Sequence, residues 1–266
     1  MISKEQKVFF KKNGYLVIKS LPGLNTAVNE IEKELLLFAK VFDKNINKLT
    51  DKNFFNILKK NTSSRIKFYN TLRYLHSVTK LTSMPILKKI SISLGLKLPA
   101  IMRSYNLRMD MPKENKHLFQ WHQDITYLLG SLNSITYWVP LTKVNKFFGS
   151  IEVVQGSHKK GIYDYKYAGN EKLIKKKSMS PKDIILKKNP NMKSKLINAK
   201  PGDLIIFSQF LLHKSTRNFS DKIRWVAQVR HSDLSEKKFK NAGYPFGDRE
   251  NIFFNNYLKN IKKNEK

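Results

Sequence analysis

Apolar residues in the first third of the chain recur at the spacing of an α-helix. Between residues 25 and 42 they lie three or four positions apart, at Val28, Ile31, Leu35, Phe38 and Val41. This period puts them on one helical face that can pack against a core. Similar stretches predict further helices over residues 4–13, 51–60, 64–80 and 84–94, and a single strand over residues 15–18. Residues 1–95 are therefore predicted to form a mainly helical N-terminal part.

From about residue 100 the pattern changes to short runs rich in β-branched and aromatic residues. The runs read AIMRSYNLRM, ITYLL, SITYWVPL, GSIEVVQGS, DLIIF and IRWVAQVR. Turn signals such as Phe148-Gly149-Ser150 and Lys200-Pro201-Gly202-Asp203 separate them. Many short strands joined by glycine and proline turns are typical of a β-sandwich or a jelly roll.

We predict that the 266 residues form a single domain. After the helical part, residues 96–235 make the predicted β-core and residues 236–266 a C-terminal tail. A lysine-rich stretch, about residues 159–200, interrupts the strand pattern. Two interpretations of this stretch stay open, a functional excursion over the mouth of the core and a merely solvated insertion.

Composition excludes several classes of chemistry. The chain has no cysteine, so it has no disulfides, zinc–thiolate sites or cysteine nucleophiles. Its first residues, MISKEQKVFFKKNG, lack the apolar stretch of a signal peptide, and no run approaches the roughly 18 apolar residues of a membrane span. We therefore expect a cytoplasmic protein without a membrane span.

The net charge is +31, from 51 basic and 20 acidic residues. Such a charge fits a nucleic acid, an anionic membrane or an anionic substrate, but it also fits the lysine accumulation of proteins encoded by AT-rich genomes. Only 8 of the basic residues are arginine, and the lysines are spread over nearly the whole chain. Because phosphate recognition favours clustered arginine forks, we expect no nucleic-acid partner.

One short motif suggests a metal site. His122 and Asp124 stand two positions apart in a run that resembles a strand, so both side chains would project from one face. A non-haem iron centre of the facial-triad type needs two histidines and one carboxylate. The chain contains a second such pair, His231 and Asp233, but no later histidine could complete a triad with it.

Three histidines follow His122, and His213 is the best third ligand because it ends an apolar run that begins after the turn at Pro201-Gly202. His158, in a Gly-Ser-His turn, is expected to be structural. Arg224 opens another apolar strand, eleven residues after His213. A buried guanidinium needs an anionic partner, and a dicarboxylate that chelates the metal at one end would supply one.

These residues together resemble the phytanoyl-CoA dioxygenase-like family of iron(II)/2-oxoglutarate-dependent oxygenases. The resemblance extends beyond the ligands. It includes EQKVFFKKNGYLVIKSLPG near the N-terminus, WHQD around the first ligands, ITYWVPL and GSIEVVQGSHKKG in the centre, and PGDLIIFSQFLLHKSTRNFSDKIRW at the end. It implies a fold that is mainly β with N-terminal helices, around a double-stranded β-helix, a cupin-like jelly roll.

The resemblance also implies roles for individual residues. His122, Asp124 and His213 would bind Fe(II). Three further residues would contact the cosubstrate 2-oxoglutarate: Arg224 and Ser215 at its distal carboxylate, and Trp138 along its side. Some members add a basic contact from a preceding helix, for which Arg65 and Lys67 are both candidates. Independently of the resemblance, Arg103 and Arg230 are candidates to reach a primary substrate, and Arg230 shares a strand face with Arg224, which would point it into the barrel.

The implied activity is hydroxylation of an unactivated C–H bond in a small organic molecule, which consumes O₂ and 2-oxoglutarate and releases succinate and CO₂. Related halogenases have a small residue in place of Asp124, so its presence favours hydroxylation. An anionic substrate would suit the basic chain. Two alternatives stay open, a metal-binding cupin-like protein without 2-oxoglutarate chemistry and a non-catalytic basic binding protein of the same fold.

Overall fold

A computed structural model describes residues 2–50, 52–103, 105–115, 118–167, 184–187 and 193–248 of the chain. Its helices are α1 (Lys4–Asn13), α2 (Leu24–Phe42), α3 (Lys52–Lys60), α4 (Thr62–Thr71), α5 (His76–Thr82), α6 (Pro85–Ser93) and α7 (Lys237–Asn241). None of the helices within these ranges is long and apolar enough to cross a membrane.

The strands are β1 (Tyr15–Ile18), β2 (Pro99–Ile101), β3 (Asn106–Asp110), β4 (Leu128–Leu129), β5 (Ile135–Pro140), β6 (Ile151–Val154), β7 (Tyr165–Tyr167), β8 (Ile184–Leu186), β9 (Ser194–Leu196), β10 (Leu204–Ser208), β11 (His213–Ser215), β12 (Arg224–Asp233) and β13 (Gly247–Asp248). Most of the predicted elements are confirmed within a residue or two. The long run predicted around residues 100–109 is two strands, β2 and β3.

The helix predicted over residues 64–80 is wrong in one respect, because it is broken into α4, a short 3-10 turn and α5. Leu75 has an extended backbone, with φ −60° and ψ 132°. The carboxylate of Glu34 on α2 accepts hydrogen bonds from the backbone N–H groups of His76 and Ser77, at 3.0 and 2.7 Å. A distant residue thus satisfies the first amides of α5, a contact that no local pattern reveals.

Two antiparallel sheets form the jelly roll. The large sheet has the order β1-β10-β5-β12-β2, with β3 also paired to β12, and the smaller sheet has the order β11-β6-β9. Between them lies a core to which both sheets contribute, including Trp138 and Phe207 from the large sheet and Val153 from the small one. The predicted jelly-roll core with N-terminal helices is confirmed.

Strand β12 shows how the large sheet separates two environments. Its residues Trp225, Ala227 and Val229 belong to the core that the large sheet shares with the N-terminal helices. Because side chains alternate along a strand, Arg224, Val226, Gln228 and Arg230 point the other way, into the space between the sheets. All of these residues are buried, so the polar ones must find partners inside the barrel.

The lysine-rich stretch is described only in part. Strands β7 and β8 form a two-stranded pair there, and β9 joins the small sheet through β6. Residues 168–183 and 188–192, which include Lys175, Lys176 and Lys177, lie outside the described residues. Within the described part, Lys159, Lys160 and Lys166 are exposed.

Candidate metal and cosubstrate site

His122, Asp124 and His213 meet at one end of the space between the sheets. The backbones of the two histidines form an antiparallel bridge, with N–O distances of 2.9 and 3.0 Å. Asp124 Oδ1 lies 3.8 Å from His122 Nε2 and 3.6 Å from His213 Nε2. One possible ligand atom from each residue lies within 4.8 Å of the other two, and all three residues are buried. The structure therefore brings together the three predicted ligands.

Hydrogen bonds to Nδ1 leave Nε2 of each histidine available to bind a metal. His122 Nδ1 lies 2.7 Å from the carbonyl oxygen of Gln120, and His213 Nδ1 lies 2.9 Å from that of Leu211. A carbonyl oxygen only accepts, so each Nδ1 donates and each Nε2 keeps its lone pair toward Asp124. Burial lowers the pKa of His122 to about 3, which keeps that imidazole neutral at pH 7.

The strand predicted through Asp124 is wrong. Residues Asp124–Thr126 form a 3-10 turn, and β4 begins only at Leu128. The Thr126 hydroxyl donates to the Gln123 carbonyl oxygen at 2.6 Å, which supports the turn in place of a sheet partner. The two side chains nevertheless converge, because His122 is held by the bridge to His213 and Asp124 by its own contacts.

Asp124 is the most heavily supported of the three ligands. Its Oδ1 accepts from the Tyr127 hydroxyl at 2.6 Å, and its Oδ2 accepts from the Thr136 hydroxyl at 2.8 Å and from Arg230 Nε at 3.1 Å. Burial would raise the pKa of this carboxyl, but the adjacent Arg230 charge and the Tyr127 hydroxyl hold it below its usual value. The carboxylate is therefore ionised and fixed in orientation before any metal arrives.

The donor set fits iron. Two neutral imidazole nitrogens and one carboxylate oxygen, gathered in a buried site, are the ligands that non-haem Fe(II) takes as a facial triad. The competing pair does not reach this site, because His231 lies on the opposite face of β12, with its Nδ1 2.8 Å from the Ser91 hydroxyl. Asp233 accepts from the backbone N–H groups of Lys97 and Leu98, at 3.0 and 2.9 Å.

Arg224 is buried, as predicted, but its closest anionic partner lies within the protein. Its Nη2 and Nε donate to Asp110 Oδ2 at 2.8 and 3.2 Å. Its Nη1 donates to the Thr216 carbonyl oxygen at 3.2 Å. Gly149, with φ +74°, makes room for this group, since a Cβ there would lie 2.5 Å from Nη1. Glycine is required here by the close approach as well as by the backbone conformation.

Sequence reasoning missed Arg108 and Asp110, which lie on β3 opposite β12. Arg108 Nη2 donates to Asp110 Oδ1 at 2.8 Å, so that one carboxylate bridges Arg108 and Arg224. Burial would raise the pKa of Asp110, but the two guanidinium charges hold it well below its usual range. The alternation of these two charged residues with Leu107, Met109 and Met111 was the available signal, because it places them together on one strand face.

Two further predicted cosubstrate residues lie on the strands that carry the site. Ser215 is two positions beyond His213 on β11, and its backbone N–H donates to the Phe119 carbonyl oxygen at 2.8 Å. Trp138 is buried on β5, paired in register with Gln228 of β12, and packs in the core between the sheets. The residues that would bind cosubstrate thus come from β5, β11 and β12.

The basic candidates outside these strands have other surroundings. Arg65 forms a two-pronged ion pair with Glu114, at 2.8 and 2.7 Å, and Lys67 and Arg103 are exposed. Arg230 is inside the barrel as expected, where its Nε contacts the metal ligand Asp124. His158 is half-buried, with its Nε2 3.1 Å from the Lys11 carbonyl oxygen at the end of α1, which is the structural role expected of it.

A buried site of two histidines and one carboxylate within a double-stranded β-helix is typical of the iron(II)/2-oxoglutarate-dependent oxygenases. The sequence model of one family, described as Phytanoyl-CoA dioxygenase (PhyH), matches residues 10–226. The chain belongs to this family. No curated protein matches it significantly.

Solved structures with the same fold are distant in sequence. The epimerase SnoN, in complex with Fe3+, alpha ketoglutarate and nogalamycin RO, superposes with a TM-score of 0.58 at 14% identity, over 87% of this chain and 84% of that one. The alpha ketoglutarate-dependent carbocyclase SnoK from nogalamycin biosynthesis gives 0.56 at 18% identity, over 90% of each chain. EctD from S. alaskensis, with 2-oxoglutarate and 5-hydroxyectoine, gives 0.56 at 18%, over 88% and 77%. At these identities the likeness concerns the fold.

Proposed function

We propose that this protein is an Fe(II)/2-oxoglutarate-dependent dioxygenase that hydroxylates an unactivated C–H bond of a small organic substrate and releases succinate and CO₂. The observation that carries the proposal is the convergence of His122, Asp124 and His213 in the same barrel that buries Arg224. When bound, iron with 2-oxoglutarate and O₂ supplies an oxidant strong enough to attack such a bond. The protein holds the reactants in fixed positions and excludes water.

Each residue has a defined part in this proposal. His122, Asp124 and His213 hold the metal through Nε2, a carboxylate oxygen and Nε2. Arg224 pairs with the distal carboxylate of 2-oxoglutarate, Ser215 donates a hydrogen bond to it, and Trp138 lines its binding space. Asp110 engages Nε and Nη2 of Arg224 through one oxygen, and the Thr216 carbonyl oxygen engages Nη1. A second carboxylate can use the remaining N–H of Nη2 or replace Asp110 on the guanidinium.

Hydroxylation is favoured over other outcomes by the intact carboxylate ligand. Asp124 occupies the position that halogenation would need to leave open for chloride. Relatives of the same fold include an epimerase and a carbocyclase, so the outcome depends on which substrate atom lies nearest the metal. Oxygen transfer to carbon is the simplest outcome for an intact triad, and a hydroxylated product identified by mass spectrometry from ¹⁸O₂ would test it.

The cosubstrate is tested first, because that test needs no knowledge of the substrate. Anaerobic addition of Fe(II) and 2-oxoglutarate to the purified protein should produce the metal-to-ligand charge-transfer band of the chelate. His213→Ala should abolish the band. Arg224→Gln should require much more 2-oxoglutarate to reach the same intensity, since deleting one partner of a buried charge pair costs about 3–5 kcal/mol. Absence of the band in the wild-type protein would overturn the proposal.

One observation favours a second candidate, a metal-binding cupin-like protein without 2-oxoglutarate chemistry. Arg224 already has a carboxylate partner in Asp110, so its burial alone does not demand a dicarboxylate cosubstrate. The same titration separates the two functions. A cupin-like protein would bind Fe(II) in the wild-type form, give no band with 2-oxoglutarate, and lose no metal affinity in Arg224→Gln.

A further inference from the structure

The inner face of the barrel carries more positive than negative charge. Among the described residues, three buried guanidinium groups and two buried carboxylates face this space: Arg108, Arg224, Arg230, Asp110 and Asp124. The other buried carboxylates of the described chain lie elsewhere, Asp203 against Lys19 and Asp233 against the backbone of Lys97. A histidine that donates from Nδ1 and binds a metal through Nε2 carries no charge, so His122 and His213 add none in the loaded site, and the five charged residues sum to one positive unit.

Loading the site does not remove this excess. Fe(II) adds two positive charges and 2-oxoglutarate adds two negative ones, so the sum is unchanged. A buried charge without a partner is costly, because the low dielectric of the interior does not replace the lost hydration. The loaded site therefore has room, electrostatically, for one more anion with a single negative charge.

Arg108 is the guanidinium best placed to receive that anion. Arg230 is hydrogen-bonded to Asp124, and Arg224 uses all three of its nitrogens on Asp110 and backbone carbonyls. Arg108 makes one hydrogen bond within the described chain, from Nη2 to Asp110 Oδ1, so Nε and Nη1 are left to donate elsewhere. The residue is only 6% exposed.

Arg108 is also adjacent to the metal ligands. Its Cζ lies 4.1 Å from the centre of the Phe119 ring. That ring in turn contacts His122 edge-on, with centroids 5.7 Å apart. One aromatic side chain therefore separates the guanidinium from the metal centre. A guanidinium over a ring face can keep N–H donors available for a planar acceptor.

We infer that Arg108 docks the carboxylate of a singly charged organic-acid substrate whose reactive carbon lies toward His122. The inference rests on the proposed function, because the charge balance includes iron and 2-oxoglutarate. Substrate selection would then occur at a buried guanidinium and not at the exposed lysines, because water and salt screen the attraction of exposed lysines for anions. A carboxylate matches the fork of Arg108 and neutralises the excess charge, whereas a doubly charged phosphate would over-compensate it.

Acetate and its neutral isostere acetamide test the inference in the protein loaded anaerobically with Fe(II) and saturating 2-oxoglutarate, at constant ionic strength set with sodium chloride. Acetate is expected to perturb the charge-transfer band and acetamide to leave it unchanged. Arg108→Gln should keep the band and weaken the acetate response by at least about tenfold. Arg73→Gln, which removes an exposed arginine of the helical part, is the matched control and should behave as wild type.

The outcomes separate the two proposals. A wild-type band that ignores acetate, or an acetate response that survives in Arg108→Gln, overturns the role of Arg108 and leaves the dioxygenase intact. Acetate that competes with 2-oxoglutarate occupies the cosubstrate's own site, at Arg224 or on the metal, and this outcome also overturns the role of Arg108. Absence of any band removes the dioxygenase and this inference together. If Arg108→Gln does not fold, Arg108→Lys keeps the charge without the fork and should still weaken the acetate response.

Organic acids and their amides extend the test to turnover. The substrate should increase the rate of succinate formation, because 2-oxoglutarate is then consumed in coupled turnover. Monocarboxylic acids are expected to stimulate and their amides to fail, with the difference lost in Arg108→Gln. If the amides increased the rate of succinate formation as strongly as the acids do, the inference would be overturned.

Discussion

Each predicted metal ligand has a hydrogen-bonded neighbour that fixes the orientation of its side chain. The two histidines donate Nδ1–H to carbonyl oxygens, and Asp124 accepts from Tyr127, Thr136 and Arg230. Such supporting contacts set both the tautomer and the orientation of a ligand. The site is therefore pre-organised by hydrogen bonds from two strands, β5 and β12, and from residues outside the strands that lie close to the ligands in sequence.

The first prediction concerns the histidine ligands. His122→Ala and His213→Ala should each reduce Fe(II) binding below detection in anaerobic calorimetry, because two remaining ligands are too few to hold the ion. Circular dichroism should show an intact fold. His231→Asn is the control, since that residue lies across the sheet from the site, and it should bind Fe(II) as wild type does. Metal affinity that followed His231 would contradict the assignment.

Asp124 needs a different substitution. In Asp124→Ala the Arg230 charge would stay buried without its carboxylate, at a cost of about 3–5 kcal/mol in folding stability, so loss of metal binding could reflect unfolding. Asp124→Asn also leaves Arg230 without a carboxylate, but it keeps the side-chain shape and one acceptor oxygen. It is the better probe of the ligand when a denaturation curve confirms that the variant is folded.

The second prediction concerns Asp110. Asp110→Asn should lower the free energy of unfolding by about 3–5 kcal/mol, because two buried guanidinium groups lose their shared carboxylate. Added 2-oxoglutarate should stabilise this variant more than wild type, since the distal carboxylate replaces the lost partner of Arg224. Denaturant titrations with and without 2-oxoglutarate measure both effects.

Glu114→Gln is the matched control for Asp110, because it breaks a partly exposed pair with Arg65. Glu114→Gln should lower the free energy of unfolding only slightly and leave the stabilisation by 2-oxoglutarate unchanged. Equal stabilisation of Asp110→Asn and wild type by 2-oxoglutarate would show that Asp110 and the cosubstrate do not share Arg224.

At the residue scale, the sequence predicted which candidate ligands would lie together but not the charged residues that pair with them. The order of His122, Asp124, His213 and Arg224 along the chain follows a family pattern, so it could be read without a structure. The pairing of Arg224 with Asp110 joins residues 114 positions apart and depends on the register of β3 against β12. Register between distant strands is set by the whole sheet, which no local spacing encodes.

At the scale of elements, local periodicity predicted most helices and strands, and it failed where a tertiary contact decided the conformation. After the break between α4 and α5, a carboxylate on α2 accepts hydrogen bonds from the first backbone N–H groups of α5. Side chains of β5 and β12 hold the turn at Asp124. Propensity is a weak guide at such positions, because hydrogen bonds from distant residues override it.

The helices pack on the large sheet through an aromatic cluster centred on Phe68 of α4. The centroid of its ring lies 4.7 Å from the ring centroid of Phe38, 5.3 Å from that of Phe54 and 6.4 Å from that of Trp225 on β12. Phe68 thereby links α2, α3 and α4 to the outer face of the strand whose inner face carries Arg224.

The third prediction follows from this packing. Phe68→Ala should lower the free energy of unfolding by about 3–5 kcal/mol, through lost burial and the cavity left behind. Ile66 lies on the same helix but is 54% exposed. Ile66→Ala should therefore change the free energy of unfolding by less than about 0.5 kcal/mol. Chemical denaturation of the three proteins is the measurement, and equal stabilities would show that the helices do not support the sheet.

At the scale of the whole molecule, the charge of +31 acts on the compact state. Folding brings like charges closer than they are in the unfolded chain, and salt shortens the range of their repulsion to about 10 Å at 0.1 M. The fourth prediction is that the melting temperature rises as sodium chloride increases from low concentration to about 0.2 M. Sucrose at equal osmolality controls for general stabilisation. A melting temperature that fell with salt would show that attractive ion pairs outweigh the repulsion.

The pairing of Arg230 with Asp124 has a consequence for how the protein is assembled. A ligand carboxylate that already has a counter-charge can stay buried in a chain that has never met iron. We therefore expect folding not to require the metal, unlike that of a zinc finger, which is unfolded until its ion arrives. Newly made chains should fold with the site empty and take up iron afterwards. The fraction loaded with iron should then follow the concentration of free iron around the protein.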